Sequence, residues 1–329
     1  MGESTHHFEH WDVLDELSKG GQGQVFKVLQ RSRPQDIDLA LQGLCEFVRS
    51  SAENAPQLAE RLPNVIPILQ TLLTPHDPQY LGALKRFEIP EDDKEEAARA
   101  VKRLEHEIRA LAATGNQPGI LRLLDSDLKA RSIVTEYHAG GTLTEHLDRY
   151  RGDALGALLA FRPLVQAVAA LHSRQEVIVH RDIKPDNIFV TSDGRLVLGD
   201  FGIVFFRLDG LTRATATHER VGSRDWMAPW ANIGRRIEDV NPSFDVFPLG
   251  KVLWCMISGQ SGLPFWYHSR DAYDLERLFP NAPEMAVINA LLDRCVVEEE
   301  EYCLKSGVEL LVAVDGALRT LPGLSACGH

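Results

Sequence analysis

One stretch of the chain, residues 180–202, constrains the fold more than any other; it reads HRDIKPDNIFVTSDGRLVLGDFG. Two short apolar runs, residues 188–190 and 196–198, flank Ser192, Asp193 and Gly194. Apolar runs on either side of such turn residues predict a β-hairpin, because glycine readily takes the positive φ that a tight turn requires.

The ends of this predicted hairpin carry oxygen-bearing side chains. Asn187 and Asp200 lie equally far from the midpoint between Asp193 and Gly194, so a symmetric hairpin sets them side by side at its open end. An amide and a carboxylate oxygen suit a hard cation such as Mg²⁺, and Asp182 just upstream can serve as a base. The residues therefore predict a phosphoryl-transfer site.

HRDIKPDN followed by DFG resembles the catalytic loop and metal loop of eukaryotic-type protein kinases. The resemblance implies that Asp182 accepts or orients the hydroxyl proton, that Lys184 steadies the γ-phosphate, and that Asn187 and Asp200 hold the metal. Lys184 beside Ile183 favours serine or threonine over tyrosine as the acceptor. The implied cofactors are ATP and Mg²⁺, with Mn²⁺ as a substitute.

A glycine-rich segment, LSKGGQGQVFKV at residues 17–28, lies near the start of the chain. Exposed backbone amides in such a loop can approach phosphate oxygens, although a lone glycine-rich loop is a weak signal. Ser18 replaces the first glycine of the kinase pattern, and Gly21 adds flexibility beside it. The residues that match the pattern are Gly20, Gly23 and Val25.

Residues 80–89, YLGALKRFEI, predict a strand, and a helix follows from about Asp92 to Thr114. By the resemblance, Lys85 on the strand holds the α- and β-phosphates. Glu107 on the helix is then the acidic partner of Lys85 in an active kinase.

Two further strands are predicted within residues 120–137, and they lead into the segment that links the two lobes of a kinase. The resemblance makes Thr135 the gatekeeper and places Thr142 against the ribose. The same resemblance implies that the adenine edge meets the backbone of the linking residues Glu136, Tyr137 and His138. It also implies that the purine is enclosed by Val25, Ala83 and Phe189.

Residues 31–79 form an insertion where kinases have a short connection between strands. Apolar residues recur in it at helical spacing, which predicts two amphipathic helices. Their apolar faces either pack within the monomer or serve a regulatory or dimerising contact.

Residues 200–229 correspond to a kinase activation segment. Thr212, Thr215 and Thr217 lie where a phosphate could pair with Arg181, although threonines are also ordinary loop residues. GSRDWMAPW aligns with the family's GTxxYMAPE, so Ser223 corresponds to the threonine that contacts Asp182 and Lys184. Trp230 replaces the final glutamate, and its arginine partner is also missing from residues 302–305.

The rest of the chain predicts a mainly helical lobe. Helices are expected at about 143–149 and 155–172, the second broken at Pro163, and the apolar residues Val308, Leu311, Val312 and Leu318 predict a last helix. Asp245 in DVFPLG corresponds to the aspartate that ties the catalytic loop backbone to the following helix.

Composition limits the alternatives. The net charge of -12 argues against non-specific nucleic-acid binding. The five cysteines lack CxxC spacing, which is typical of reduced thiols and a cytoplasmic location. The most apolar segment, residues 246–258, is interrupted by Pro248, Gly250 and Lys251 and is too short to span a bilayer, so no membrane span is expected.

We therefore expect an α+β, two-lobed kinase-like fold over residues 11–318, between tails at 1–10 and 319–329. The small β-rich lobe covers about 11–136 and carries the inserted helical pair, and the large, mainly helical lobe covers about 137–318. The leading hypothesis is a serine/threonine protein kinase that also phosphorylates its own activation segment. The alternative is a catalytically weak pseudokinase, a nucleotide-binding scaffold, which Ser18 and Trp230 would favour.

Overall fold

The computed structural model of the protein describes residues 11–20, 23–30, 81–88, 94–208, 225–232 and 240–321. The chain divides into two compact units, one of residues 1–100 and 123–137, the other of residues 101–122 and 138–329. Several predicted features lie outside the described residues: the insertion at 31–79, Gly21, Ser223, residues 1–10 and 322–329, and the threonines Thr212, Thr215 and Thr217.

The first unit contains an antiparallel sheet. One face of it is apolar: Val28, Leu84 and Val134 are buried and pack with Trp11, whose indole Nε1 donates to Asp125 at 3.0 Å. The strands are β1 (Trp11–Gly20), β2 (Gly23–Gln30), β3 (Leu81–Phe87), β4 (Leu123–Asp127) and β5 (Ser132–Glu136). Their order in the sheet is β1-β2-β3-β5-β4. The predicted strands around the glycine-rich turn and before the link are confirmed.

Helix α1 (Lys94–Thr114) confirms the helix predicted to end at Thr114. Its buried side includes Leu104, Leu111 and the carboxylate-bearing Glu107, which is only 3% exposed. Gly115 follows with φ 57° and donates its amide to the Leu111 carbonyl at 3.2 Å. A left-handed glycine that closes the last turn is a common helix stop.

Helix α2 (Ala154–His172) is the central helix of the second unit and packs on α4 (Ser243–Ser258) and α7 (Gly307–Thr320). The predicted break at Pro163 is wrong, because the helix runs through it. A proline removes one internal hydrogen bond, but tertiary packing of the surrounding apolar residues provides most of the stability of such a helix.

Within the described residues, α2 alone combines the length and apolar composition needed to cross a membrane, and 56% of its most apolar window is buried in the unit. A core helix meets the same two criteria, so this is weak evidence of a span. The absence of a membrane span stays a prediction.

The inward face of the last helix, α7, agrees only in part with the predicted apolar pattern, in which Leu318 is buried but two valines are not. Val308 and Val312 are 43% and 65% exposed, whereas Leu310, Val314 and Leu318 are buried. Valines and leucines occur on both sides of this helix, so apolar periodicity alone did not identify the buried stripe. Gly307 fixes the contact, since a Cβ there would lie 2.8 Å from the backbone nitrogen of Ala169 on α2.

Two short antiparallel pairs complete the second unit as described, β6 (Glu176–Val179) with β9 (Phe205–Leu208) and β7 (Ile188–Val190) with β8 (Leu196–Leu198). The remaining α-helices are α3 (Pro229–Asn232), α5 (Leu275–Leu278) and α6 (Met285–Leu292). Segments of 3₁₀ helix cover Leu143–Tyr150, Pro185–Asn187, Tyr267–Ser269 and Glu300–Tyr302. A sheet-rich unit and a mainly helical unit confirm the α+β, two-lobed fold class, and the domain limits of 11–318 stay a prediction.

Candidate active site

The catalytic loop is anchored by Asp245, a fully buried carboxylate in the first turn of α4. It accepts hydrogen bonds from the backbone amides of His180 at 2.7 Å and Arg181 at 2.8 Å, and it contacts the ring Nε2 of His172 at 2.9 Å. These contacts confirm that Asp245 ties the loop backbone to the helix.

The protonation state of Asp245 follows from the same contacts. Burial by itself raises the pKa of a carboxyl group, but the hydrogen bonds from His172 and from the Arg181 amide, together with the nearby His180 ring, bring the pKa of Asp245 below its ordinary value. His172 is held in turn, since the Gly307 amide donates to its Nδ1 at 2.9 Å. The anchor therefore joins α2, α4 and α7 to the loop.

His180 links the catalytic loop to the DFG residues. Its Nε2 lies 3.0 Å from the Gly199 carbonyl, and its ring meets the Phe201 ring edge-on at 4.7 Å. Arg181 and Asp200 adopt positive φ values of 72° and 57°. Such backbone conformations cost energy and cluster at functional sites, where surrounding contacts hold them in place.

Asp182, Lys184 and Asn187 form one hydrogen-bonded cluster. The Lys184 Nζ lies 2.9 Å from the Asp182 carboxylate. The Asn187 side-chain nitrogen donates to the same carboxylate at 2.9 Å and to the Asp182 carbonyl at 2.8 Å. Because the amide nitrogen is engaged in this way, the amide oxygen of Asn187 is the atom that can accept a cation.

The hairpin β7–β8 forms as predicted, but its register differs by one residue. The backbone carbonyl of Asn187 accepts a hydrogen bond from the Gly199 amide at 2.8 Å. Asn187 therefore pairs with Gly199 and not with Asp200. The cause is a three-residue loop centred on Asp193, in which Gly194 takes φ 82° and donates to the Thr191 carbonyl at 2.9 Å. Asp200 is thus the residue that immediately follows the pair.

Two carboxylates converge on Gly202. A Cβ at this position would lie 3.4 Å from the Asp200 Oδ1 and 3.4 Å from the Glu107 Oε2. Each carboxylate oxygen thus lies within 3.4 Å of one common point, and negative charges brought near one another favour a cation beside them. In the described part of the chain no group of three or more His, Cys, Asp or Glu side chains could enclose a metal. The donor set fits Mg²⁺, which keeps several of its waters and needs few protein ligands.

The sequence-predicted residues of the first unit share one face of its sheet. Val25 pairs with Lys85, and Ala83 pairs with Thr135, so all four project opposite to the apolar core face. The Lys85 Nζ lies 4.8 Å from the centre of the Phe87 ring.

At the turn, Gly20 pairs with Gly23. Gly23 has φ 141°, and a Cβ there would lie 2.0 Å from the Arg86 carbonyl oxygen, so only glycine fits. Glu136 ends β5, opposite Gly82, and the Tyr137 amide donates to the Leu81 carbonyl at 3.3 Å.

The predicted residues on the second unit's side of the link also form a group. The rings of His138 and Phe189 lie 6.1 Å apart. The backbone of Thr142 forms an isolated antiparallel bridge with that of Phe189. Thr142 also caps the following 3₁₀ helix, and its amide donates to the Glu145 carboxylate at 3.1 Å. Gly140 permits this approach, because a Cβ there would lie 2.3 Å from the Val190 carbonyl oxygen.

Lys251 is a residue that the sequence analysis treated only as an interruption of an apolar segment. It lies in the middle of α4, is 1% exposed, and its Nζ donates to the backbone carbonyl of Asp225. A charged residue within the most apolar stretch of the chain was the signal that could have identified it.

Comparisons with known proteins agree with this geometry. The model of the protein kinase domain family matches residues 72–293, a range that begins after the glycine-rich segment. Serine/threonine-protein kinase PknL of Mycobacterium tuberculosis is 30% identical over 218 residues, which cover 64% of this chain and 48% of the relative.

Two other relatives come from eukaryotes. Serine/threonine-protein kinase CHK1 of Saccharomyces cerevisiae is 30% identical over 190 residues, or 56% of this chain and 35% of the relative. Serine/threonine-protein kinase PAK 1 of Mus musculus is 32% identical over 180 residues, or 54% of this chain and 30% of the relative. The chain thus spans about half or less of the length of these relatives. With most of its own length matched by the domain model, the chain belongs to the protein kinase family, in its eukaryotic-type serine/threonine branch.

Proposed function

We propose that the protein is an ATP-dependent serine/threonine protein kinase, which transfers the γ-phosphate of Mg-ATP to protein hydroxyl groups. The observation that carries the proposal is the cluster of Asp182, Lys184 and Asn187, with Asp200 one residue beyond the Asn187–Gly199 pair. A base, a cation and two metal-binding oxygens are the groups that phosphoryl transfer needs.

Asp182 is assigned to the acceptor hydroxyl. Its carboxylate accepts hydrogen bonds from Lys184 and Asn187, and these two donors fix its orientation. In this position it orients the hydroxyl group and receives its proton as the new bond to phosphorus forms. Lys184 also places positive charge where the transferred phosphoryl oxygens carry negative charge.

Asn187 and Asp200 are assigned to the metal. The Asn187 amide oxygen and the Asp200 carboxylate would hold Mg²⁺, which when bound neutralises charge on the β- and γ-phosphates. Asp200 sits in its left-handed conformation directly after Gly199. Gly199 has no room for a side chain, since a Cβ there would lie 2.6 Å from the Phe189 ring, so the backbone leading to Asp200 is closely confined.

The nucleotide is assigned to the remaining residues. Lys85 would bind the α- and β-phosphates with Glu107 as its acidic partner, and the backbone of Gly20, Gly21 and Gly23 would cover the phosphates. The adenine would lie against Val25, Ala83 and Phe189, with backbone contacts from Glu136 and His138 and the ribose near Thr142.

Autophosphorylation in the activation segment is part of the proposal. Burial lowers the pKa of the Arg181 guanidinium and Asp245 acts in the opposite direction, so Arg181 is a desolvated cation. Its Nη1 makes a long contact of 3.4 Å with the Ile203 carbonyl. A phosphate on Thr212, Thr215 or Thr217 would give this cation a charge-assisted partner.

The test is incorporation of labelled phosphate from ATP with Mg²⁺ into the protein itself and into myelin basic protein. The wild type should label both, and Asp182→Ala should abolish the labelling. A matched control is Asp186→Ala, whose carboxylate accepts the Thr144 hydroxyl at 2.9 Å outside the cluster. Equal labelling by the wild type and Asp182→Ala would refute the assignment.

The alternative is a pseudokinase that binds nucleotide as a scaffold. It draws on Trp230 and Ser18, which replace the family's glutamate and first glycine. Nucleotide binding by the wild type without any labelling would establish this alternative in place of the kinase.

A partner or dimer contact through residues 31–79 is also proposed, from the amphipathic pattern of the insertion. Deletion of these residues should leave Mg-ATP affinity intact and change the molecular mass in solution or the regulation. A deletion that unfolds the protein would show that the insertion is part of the core.

A further inference from the structure

Lys251 is a buried cation to which the proposed chemistry assigns no role. It lies in α4, a helix in which every residue from Ser243 to Ser258 is buried. A charged group taken out of water is costly unless hydrogen bonds and charges around it compensate. The contacts of Lys251 therefore indicate what the residue does.

Two of these contacts lie on one short segment of chain, Asp225 and Trp226, and a third lies on α4 itself. The Lys251 Nζ donates to the Asp225 carbonyl, and the centre of the Trp226 ring is 5.7 Å away. The ring of Phe247, one helical turn earlier in α4, is 5.5 Å from the same nitrogen. Aromatic faces attract cations, most strongly where water is excluded.

The charge of Lys251 persists at neutral pH. Burial lowers the pKa of Lys251 to about 8, while Cys255 and Asp225 act in the opposite direction. Burial also raises the pKa of the Cys255 thiol to about 12, so this thiol is neutral at pH 7 and offers no ion pair. The principal contacts of the cation are therefore the Asp225 carbonyl and the two rings.

The next contact on this segment is made by Trp230. Its ring meets the same Phe247 ring edge-on, at 5.5 Å between centres and an interplanar angle of 82°, and it is 6% exposed. Trp230 stands where the family has the glutamate of an ion pair. Aromatic packing and the Lys251 contacts hold residues 225–230 against α4 in this chain.

The position of this segment links it to the acceptor side of the site. Asp225 follows Ser223 by two residues, and the resemblance assigns Ser223 to Asp182 and Lys184. The residues assigned to adenine and ribose lie elsewhere in the sequence. Displacement of residues 225–230 should therefore impair acceptor binding and leave nucleotide binding intact.

We propose that Lys251 is a positioning residue for the protein substrate, which it serves by holding Asp225 and Trp226 on α4. This inference rests on the proposed kinase function. In the family, an ion pair between a glutamate and an arginine holds this segment. Here Lys251 and Trp230 together hold it in place of that ion pair.

The test compares Lys251→Met with the wild type as full chains. Methionine keeps the length and packing of the side chain and removes its charge and its donor. The control is Lys305→Met, because Lys305 is an exposed lysine whose Nζ also donates to backbone carbonyls, those of Glu300 at 2.6 Å and Glu301 at 2.9 Å.

The kinetic readout separates the two substrates. We expect kcat/KM for myelin basic protein to fall at least about 10-fold in Lys251→Met, while the Kd for Mg-ATP stays within about twofold. Lys305→Met should match the wild type. Unchanged kcat/KM, or an equal loss in ATP binding and phosphate transfer, would overturn the proposal.

Hydrogen exchange gives a readout that does not depend on activity. Backbone amides of residues 225–230 should exchange faster in Lys251→Met, and those of the catalytic loop, residues 180–187, should be unchanged. If the amides of residues 225–230 exchanged at the same rate in Lys251→Met and in the wild type, Lys251 would not hold this segment and the proposal would be overturned. A wild type that transfers no phosphate at all would instead remove the proposed kinase function, and with it the acceptor role of Lys251.

Discussion

Helix α4 holds two segments of the second unit by different chemistry. At its start, Asp245 accepts hydrogen bonds from two backbone amides and from the ring of His172, all within 3.0 Å. Six residues further on, about 9 Å along the helix axis, Lys251 and Phe247 hold residues 225–230 through one carbonyl and aromatic rings.

The difference between these two regions lies in how strictly each contact fixes its partner. A carboxylate with three directed donors determines the position of the catalytic loop, since each bond fails if the loop shifts. Cation–π and edge-on ring contacts tolerate larger displacements. The catalytic loop accordingly keeps the family's sequence, whereas the segment at 225–230 departs from it at Trp230.

The largest effect is expected from Asp245→Ala. This change leaves the donors of His180, Arg181 and His172 without their buried acceptor, so the free energy of unfolding should fall by about 3–5 kcal/mol. Phosphate transfer should fall at least about 100-fold, because the catalytic loop loses its position. Urea unfolding and labelled-phosphate incorporation measure the two effects, and a variant with wild-type stability would show that the loop is held by other contacts.

Trp230→Glu restores the family residue without its partner and should be the next most damaging change. Residues 302–305 contain no arginine, and Lys305 already donates to carbonyls of its own turn. A buried, unpaired carboxylate should cost roughly 3 kcal/mol in the free energy of unfolding. Trp230→Phe keeps the aromatic contact and should lose about 1 kcal/mol. Similar losses in both variants would contradict the packing role of the ring.

Lys251 predicts a pH dependence of smaller size. Its pKa is about 8 in the folded chain and 10.5 as the ordinary value, so between these limits the unfolded chain binds more protons. The free energy of unfolding should therefore rise with pH across this window, by roughly 2–3 kcal/mol. Comparing urea unfolding at pH 7.5 and pH 10 for the wild type and Lys251→Met isolates the contribution. Identical pH profiles would mean that the lysine is not buried as described.

The smallest effect is expected from Asp315→Ala, which removes a carboxylate from a half-exposed site. Asp315 on α7 pairs with Arg162 on α2 at 2.6 Å, with side chains 31% and 37% exposed. Ion pairs in contact with water contribute at most about 1 kcal/mol. The melting temperature should therefore hardly change. A loss of stability as large as that of Asp245→Ala would mean that burial does not determine how much these carboxylates contribute to stability.

Sequence patterns predicted the elements of the site well because they are local. The hairpin, the strands around the glycine-rich turn and the end of α1 at Gly115 each depend on residues close together in the chain. The register of the hairpin was not predicted, since it depends on the number of residues in the loop, which the flanking apolar runs leave open. A three-residue loop centred on Asp193 moves the partner of Asn187 to Gly199.

Features that depend on distant residues were predicted less well. The continuity of α2 through Pro163 and the inward face of α7 are set by packing between helices. The burial of Lys251 depends on Asp225 and Trp226, which lie about 25 residues earlier in the chain. No local pattern predicts such a contact, although a lysine amid apolar residues marks the position.

The most direct measurement of the central claim is mass spectrometry of phosphorylated sites after the full chain is incubated with Mg-ATP and a cell lysate. The comparison is between the wild type and Asp200→Ala, which lacks the proposed metal-binding carboxylate. The account predicts new phosphoserine and phosphothreonine sites, including sites on the chain itself, that are absent with Asp200→Ala. The same sites with both proteins, or none with the wild type, would contradict it.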